Sequence, residues 1–368
     1  MVIPTLHLLK YICQRITINK GGITMYYVGC DLHKFSTYFY VVDNKGKCIL
    51  HRSIPNEAAL LHKFLRSLPK PFKLAVEATY NWYFFIDIVA CYTDEYYLAN
   101  PLYLKAFAKR NKKTDKIDAK LIADILRIGY LPEVYIVDKK TQREREVLRQ
   151  RMKIIQDRCR AIFRLKALLD KLGENSTGNF ATKKRLDNIE TKHLPEEYQH
   201  IIKENCRQII ELLQAETRTD SVVRKLVAAD FEAKLLTTID GIGEFSALLI
   251  KSEIADVSRF KNFDKLCSYA GLAPRIHQSG NKCIIGALSK NRRKHLQWIL
   301  LEISYQFMSR NEKYRYKFEK IREQKPYNKA KVVIARDLLK IIYRVLKTKK
   351  PYYKEQNQTM ASCAVCGV

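Results

Sequence analysis

Two long helical stretches constrain this chain more than any other feature. Thr141 to Leu172 runs without glycine or proline, and so does Glu196 to Ala229. In the first, Leu148, Met152, Ile155, Cys159, Ile162 and Leu169 follow alternating four- and three-residue steps, with Lys166 the one polar lapse. Such a seam buries one stripe of a helix against a neighbouring helix. In the second, Ile202, Cys206, Ile209 and Leu213 keep the same register, and Gly173 to Phe180 begins the turn between the two. The spacing predicts an antiparallel helical hairpin, or a coiled-coil arm that joins copies into a dimer or tetramer. Residues 141–230 therefore stand apart as an arm. The chain must fold separately on either side of it, over 25–140 and 231–350, with residues 1–24 and 351–368 outside both.

The segment before the arm has a different grammar. YYVGCD, STYFYVVD and KCILHRSI are rich in β-branched and aromatic residues, and Asn44-Lys45-Gly46 supplies a hairpin turn. A helix is predicted from Glu57 to Leu68, stopped by Pro69. FKLAVE, a helix near Tyr83–Cys91, a short strand at Tyr96–Leu98 and a helix after Pro101 follow. Three meandering strands and then alternating α/β units predict an α/β fold of RNase-H-like type.

Four acids are placed on that frame. Asp31 ends the first strand, Glu77 ends FKLAVE, and Asp115 and Asp118 open the helical pattern KTDKIDAKLIADIL. Three residues apart, the last two share one helix face. Strand-end carboxylates opposite a helical Asp pair are suited to holding two hard divalent cations, Mg2+ or else Mn2+, against a phosphodiester.

The segment after the arm is the basic one. The chain carries a net charge of +29, and residues 231–368 hold 27 basic against 12 acidic residues. That excess favours a nucleic-acid partner through counterion release. LTTIDGIGEFSALLI places Gly241 and Gly243 in a tight turn before a helix, the helix-hairpin-helix pattern that brings backbone N–H groups to a phosphate. Asp240 sits in the same turn and opposes an anion there. RIHQSGNK then reads as a polar loop, with Ser279 flanked by Arg275, His277 and Lys282, and with Lys290, Arg292 and Arg293 shortly after. A hydroxyl among several cations can attack a phosphodiester while the cations stabilise the developing charge. Further on, KYRYKFEKIREQKPYNKAK interleaves cations with aromatic rings, as backbone tracking and base stacking require.

Ten cysteines are scattered through the chain; Cys30, Cys48, Cys91, Cys159, Cys206 and Cys267 lie singly in apolar runs and read as reduced core thiols of a cytoplasmic protein. Cys363 and Cys366 form one CxxC, which lacks the second ligand pair that zinc needs. No stretch reaches the length of a membrane-spanning helix. Lys10 and Arg15 break the apolar run of a signal peptide, and residues 1–24 read as a leader from a mis-assigned start, with Met25 the working one.

Five blocks in this order carry a resemblance: MYYVGCDLHK, AVEATYNW, NKKTDKIDAK, LTTIDGIGEFSA and YAGLAPRIHQSGNKCIIGALSK. Over about Met25 to Lys347 the chain resembles the IS-one-ten family of insertion-sequence transposases, whose pattern Piv-type DNA invertases share. The resemblance implies a RuvC-like domain before the arm and a mainly α transposase domain after it. It places the family's four acids on Asp31, Glu77, Asp115 and Asp118, and its catalytic serine on Ser279. It also implies recombination of donor and target DNA guided by a structured bridge RNA, in a prokaryotic nucleoid. Asp240 and Asn291 depart from the residues common in the family. Two rival readings remain: a metal-dependent nuclease or junction resolvase using the acids alone, and a non-enzymatic RNA-binding scaffold.

Overall fold

A computed structural model describes residues 24–107, 114–279, 282–289 and 291–352, without the side chains of residues 276, 277, 279 and 282–285. The leader to residue 23, Lys290, and the Cys363–Cys366 pair lie outside the described residues. The chain divides into two compact units, Met1–Ile136 and Val137–Val368.

Unit 1 is a mixed six-stranded sheet with helices on both faces. Its strands are β1 (Tyr26–Leu32), β2 (Ser36–Val42), β3 (Cys48–Pro55), β4 (Phe72–Glu77), β5 (Tyr96–Ala99) and β6 (Glu133–Val134), in spatial order β3-β2-β1-β4-β5-β6. β1, β2 and β3 form an antiparallel meander, β4 and β5 run parallel to β1, and β6 closes the edge antiparallel. The meander turns where expected. Gly46 has a positive φ of 84°, and the Asp43 carboxylate accepts from the N–H groups of Lys45 and Lys47, each at 2.9 Å. One face buries Val28, Cys30, Phe39 and Leu74 with helices α1 (Ala58–Ser67) and α2 (Trp82–Val89). A short α3 (Pro101–Leu104) follows β5, and α4 (Asp115–Arg127) covers the other face, packing on β1, β2 and β4.

Unit 2 is helical. It comprises α5 (Lys139–Lys171), α6 (Lys183–Asp187), α7 (Glu196–Ala228), α8 (Phe231–Thr237), α9 (Glu244–Ile254), α10 (Phe263–Tyr269), α11 (Lys294–Ser309), α12 (Glu312–Arg322) and α13 (Tyr327–Thr348). Helices α5 and α7, each of 33 residues, pack on each other as a hairpin within one chain. The seam differs from the sequence reading. Leu148, Met152 and Leu169 are buried and Ile162 packs half-buried against the arm core, but Ile154, Ala161 and Leu165 are buried where Ile155 and Cys159 are not. Two ion pairs, Arg151–Asp220 and Arg158–Glu216, occupy the middle of the hairpin, so the apolar stripe stops and restarts on a shifted face. A helix of 3.6 residues per turn drifts off a strict heptad in this way.

Two more expectations change. Cys48, Cys91 and Cys159 are exposed, so only Cys30 and Cys267 of the six described cysteines are core thiols. And the RIHQSGNK loop is a β-hairpin of β7 (Pro274–Ser279) and β8 (Lys282–Leu288). Ile276 on one side and the apolar run Cys283-Ile284-Ile285 on the other, with a Gly280-Asn281 pair between them, have the composition of a hairpin, and it outweighs the polarity of the segment.

Candidate active site

Strand alternation decides which face the acids take. Gly29 faces α4 so closely that a Cβ there would lie 2.1 Å from the Ala119 carbonyl oxygen and 2.4 Å from the Ala123 nitrogen. Asp31, two residues on in the same strand, falls on that face. Ala75 is buried with Ile122 and Leu126 of α4, so Glu77 falls there too. Cys30 pairs with Val76 in the parallel register, which puts Asp31 and Glu77 at the next step of neighbouring strands. Helix α4 begins at Asp115 with Asp118 one turn on, capped by the Thr114 hydroxyl, which accepts from the Ile117 N–H at 3.3 Å. Close backbone packing at Gly29 thus brings the start of α4 to the ends of β1 and β4.

The electrostatics register this convergence. Asp31 is 6% exposed. Burial pushes its carboxyl up, the His33 imidazole beside it pulls down, and Asp118, Asp115 and Glu77 push up again, leaving it at about 6 against an ordinary 3.8. His33 was not singled out from the sequence, yet it sits among the acids. Its Nε2 lies 3.2 Å from Asp31 Oδ2 and 3.3 Å from Asp115 Oδ1. The His33 carbonyl accepts from Asn81 Nδ2 at 2.9 Å and Asn56 Nδ2 at 2.8 Å, which fixes the turn that carries it. The signal available was its place two residues after a strand-end Asp.

This donor set fits a hard divalent cation. Hard carboxylate oxygens converge, one of them raised first by burial and further by the neighbouring acids, and a cation offsets both costs. Asp31, His33 and Asp115 each offer a ligand atom within 4.8 Å of one another.

The other candidate residues lie in unit 2. Ser279 is the last residue of β7, paired with Lys282 across the hairpin tip, and Arg275 is exposed on the same strand. Arg292 and Arg293 turn inward instead. The Arg292 stem crosses Gly271, where an added Cβ would lie 2.4 Å from Arg292 Cβ, and its Nη1 donates to the Ser289 carbonyl at 3.2 Å. Arg293 donates to the buried Glu253 carboxylate, Nη2 at 2.7 Å and Nε at 2.9 Å. Both guanidiniums are half-buried and hydrogen-bonded within the protein, just after the serine hairpin. The two glycines of the α8–α9 turn also part company. Gly241 has a φ of 84° and abuts Phe307 of α11, whereas Gly243 opens α9 with space where a Cβ would stand. Only Gly243 leaves room for a phosphate.

Comparison with known proteins converges on one group. A transposase family model of DEDD, IS110 type matches residues 28–173, and a model described as transposase of the IS116/IS110/IS902 family matches residues 233–319. The chain is similar to the transposase for insertion sequence element IS1328 of Yersinia enterocolitica, with 24% identity over 77% of this chain and 84% of that protein. It is similar to the pilin gene-inverting protein of Moraxella lacunata at 30% identity, over 70% of this chain and 74% of that one. The transposase for element IS1111A of Coxiella burnetii shares 23% identity over 69% and 72%.

Proposed function

The chain belongs to the IS110 family of transposases, and on that premise we propose that it cuts and rejoins donor and target DNA strands through a phosphoserine on Ser279, assisted by the four-acid site. The observation that carries this reading is the convergence of Asp31, Glu77, Asp115 and Asp118, from three separate segments, on one face at the strand ends. The meander-then-parallel order β3-β2-β1-β4-β5 supports an RNase-H-like, RuvC-like unit.

The chemistry divides between the units. Asp31 and Asp115, whose ligand atoms lie together with that of His33, would hold Mg2+, or Mn2+, with Glu77 and Asp118 beside them completing the acid set; the bound cation would polarise the scissile phosphate and offset its charge. The acids themselves orient the strand by fixing where a phosphate is tolerated. Ser279 Oγ gives up its proton and forms a bond to phosphorus. The phosphorus–oxygen bond to the departing deoxyribose breaks, and that oxygen takes up a proton. Rejoining reverses the exchange with the hydroxyl of the partner strand, so no external energy source is needed. Arg275 and Lys282, which flank the serine in β7 and β8, offset charge on the transferring phosphate. Gly243 and the basic α12 bind the DNA backbone and a structured bridge RNA whose loops pair with target and donor. Protomers joined through the α5–α7 arm supply Ser279 to a neighbour's acid site, which restrains cutting until every strand is bound.

A covalent-trapping experiment tests this. Full-length protein, the RNA transcribed beside its gene, and labelled target and donor DNA are mixed with Mg2+, denatured and separated on a gel. The expected result is a protein–DNA adduct that Ser279→Ala and Asp31→Ala each abolish. Free ends without adduct, unchanged by Ser279→Ala, would replace the reading with a metal-only nuclease.

A further inference from the structure

The acid edge of unit 1 carries a second kind of residue that folding leaves uncovered. Phe35 is 77% exposed and Tyr80 75%, against the general expectation that large rings contribute burial. Tyr103 at 52% and Phe107 at 47% extend the pattern. Each follows the C-terminal end of β1 or β4, which carry Asp31 and Glu77, or of β5, which pairs with β4. Phe35 lies in the turn after β1, Tyr80 in the loop after β4, and Tyr103 and Phe107 in the segment after β5. These segments are tied together. Asn81 Nδ2 donates to the His33 carbonyl at 2.9 Å, joining the Tyr80 loop to the Phe35 turn, and the Ala78 N–H donates to Ala99 O at 2.9 Å, joining it to the end of β5. The rings therefore rim the carboxylates rather than scatter over the sheet.

We propose that Phe35 and Tyr80 form a stacking platform for unpaired DNA bases on either side of the scissile phosphate, so that the acid site takes an unstacked strand and rejects an intact duplex. The inference rests on the reading of the acids as a strand-cutting site. Inside a duplex both faces of a base are covered by its neighbours, and only an opened strand offers a face to a protein ring. Charge points the same way. Lys34 Nζ lies 4.9 Å from the Phe35 ring centroid, and residues 31–140 carry 18 basic against 12 acidic residues, which suits a polyanion more than a second copy of this basic chain. A platform beside the acids also explains how one site serves many sequences, because every base has a face to stack.

Photocrosslinking of the full chain separates the outcomes. The probe is an oligodeoxynucleotide with 5-iodouracil at successive positions, used single-stranded and as a duplex, in Ca2+ to prevent cutting. The single strand is expected to crosslink within peptides containing Phe35 and Tyr80, and the duplex only at background. Phe35→Ala and Tyr80→Ala should each weaken single-strand binding about tenfold, with Trp at either position restoring it. Equal crosslinking of the duplex, crosslinks wholly outside these loops, preference for RNA of the same sequence, or Ala variants that bind normally but lose self-association on sedimentation would each overturn the platform. The acid reading is checked in parallel with Asp31→Asn. Undiminished cutting by that variant removes the strand-cutting reading, whereas lost crosslinks with Asp31-dependent cutting intact remove the platform alone.

Discussion

Asp31 and Asp230 are both buried aspartates, 6% and 5% exposed, and their carboxyl groups move in opposite directions. In unit 1 burial raises Asp31 and three neighbouring acids add to it, leaving about 6. In unit 2 burial also raises Asp230, but Lys140, the Ala233 N–H and Lys251 outweigh it and hold the group at about 2. Lys251 Nζ lies 3.0 Å from Asp230 and 3.2 Å from Glu144, with Lys140 2.9 Å from Asp230. One region neutralises its buried charge internally, and the other leaves like charges facing each other. The first arrangement joins the arm helix α5 to α8 and α9; the second is a demand for an outside partner.

The largest expected effects break this contrast from both ends. Asp31→Asn should lower strand cutting by at least about 10²–10³-fold, read on a labelled-DNA gel, because on the proposed reading it removes a carboxylate that would hold the cation at the reacting phosphate. The same substitution should not destabilise the protein in EDTA. Lys251→Met should do the reverse in kind. It leaves Asp230 and Glu144 buried with only Lys140 beside them, and urea unfolding should show a loss of about 3–5 kcal/mol. A Lys251→Met protein of unchanged stability would mean the two regions do not differ as described.

Acidity sharpens the comparison next. Asp230 has a depressed folded value, so its stabilisation, about 2 kcal/mol, is present above pH 4 and lost as pH falls toward 2. Asp31 is raised, so the folded state holds its proton longer than the unfolded one, and about 3 kcal/mol is lost as pH rises from 4 through 6. Thermal unfolding of wild type and Asp31→Asn in EDTA should therefore diverge between pH 4 and 6, with the variant the more stable above it. Mg2+ at pH 8 should raise the melting temperature of wild type and leave Asp31→Asn unmoved. The smallest effect is Gly29→Ala. Its Cβ cannot fit at 2.1 Å from Ala119 O, so α4 must shift, at a cost of about 1–3 kcal/mol, and cutting should fall more than stability does.

Legibility in the sequence followed the range of the interactions involved. The meander, the Gly46 turn, α4 with its leading Asp pair, and the long helices were visible because each depends on local pattern and breakers. His33 was not, because nothing local distinguishes a histidine that meets Asp115 across the fold from one in a solvated turn. The inward binding of Arg293 was hidden for the same reason, since its partner Glu253 is 40 residues away. The arm seam departs from the heptad expectation at Ile155 and Cys159, because the ion pairs to Asp220 and Glu216 that interrupt it belong to the other helix. The serine hairpin has only a weak local signal, a Gly280-Asn281 pair beside the apolar run Cys283-Ile284-Ile285, set in an otherwise polar segment.

The contact between Gly29 and α4 has a last consequence, for how such a site survives mutation. The joint is backbone against backbone at its closest, where a Cβ on Gly29 would meet the Ala119 carbonyl oxygen and the Ala123 nitrogen and Cα. No rotamer at position 29 can relax it. The spacing between the strand acid and the helix acids is therefore inherited from peptide geometry. Core residues on the opposite face, such as Phe39 or Leu74, can turn over by drift without altering that dimension. A side chain added at Gly29 would alter that spacing directly.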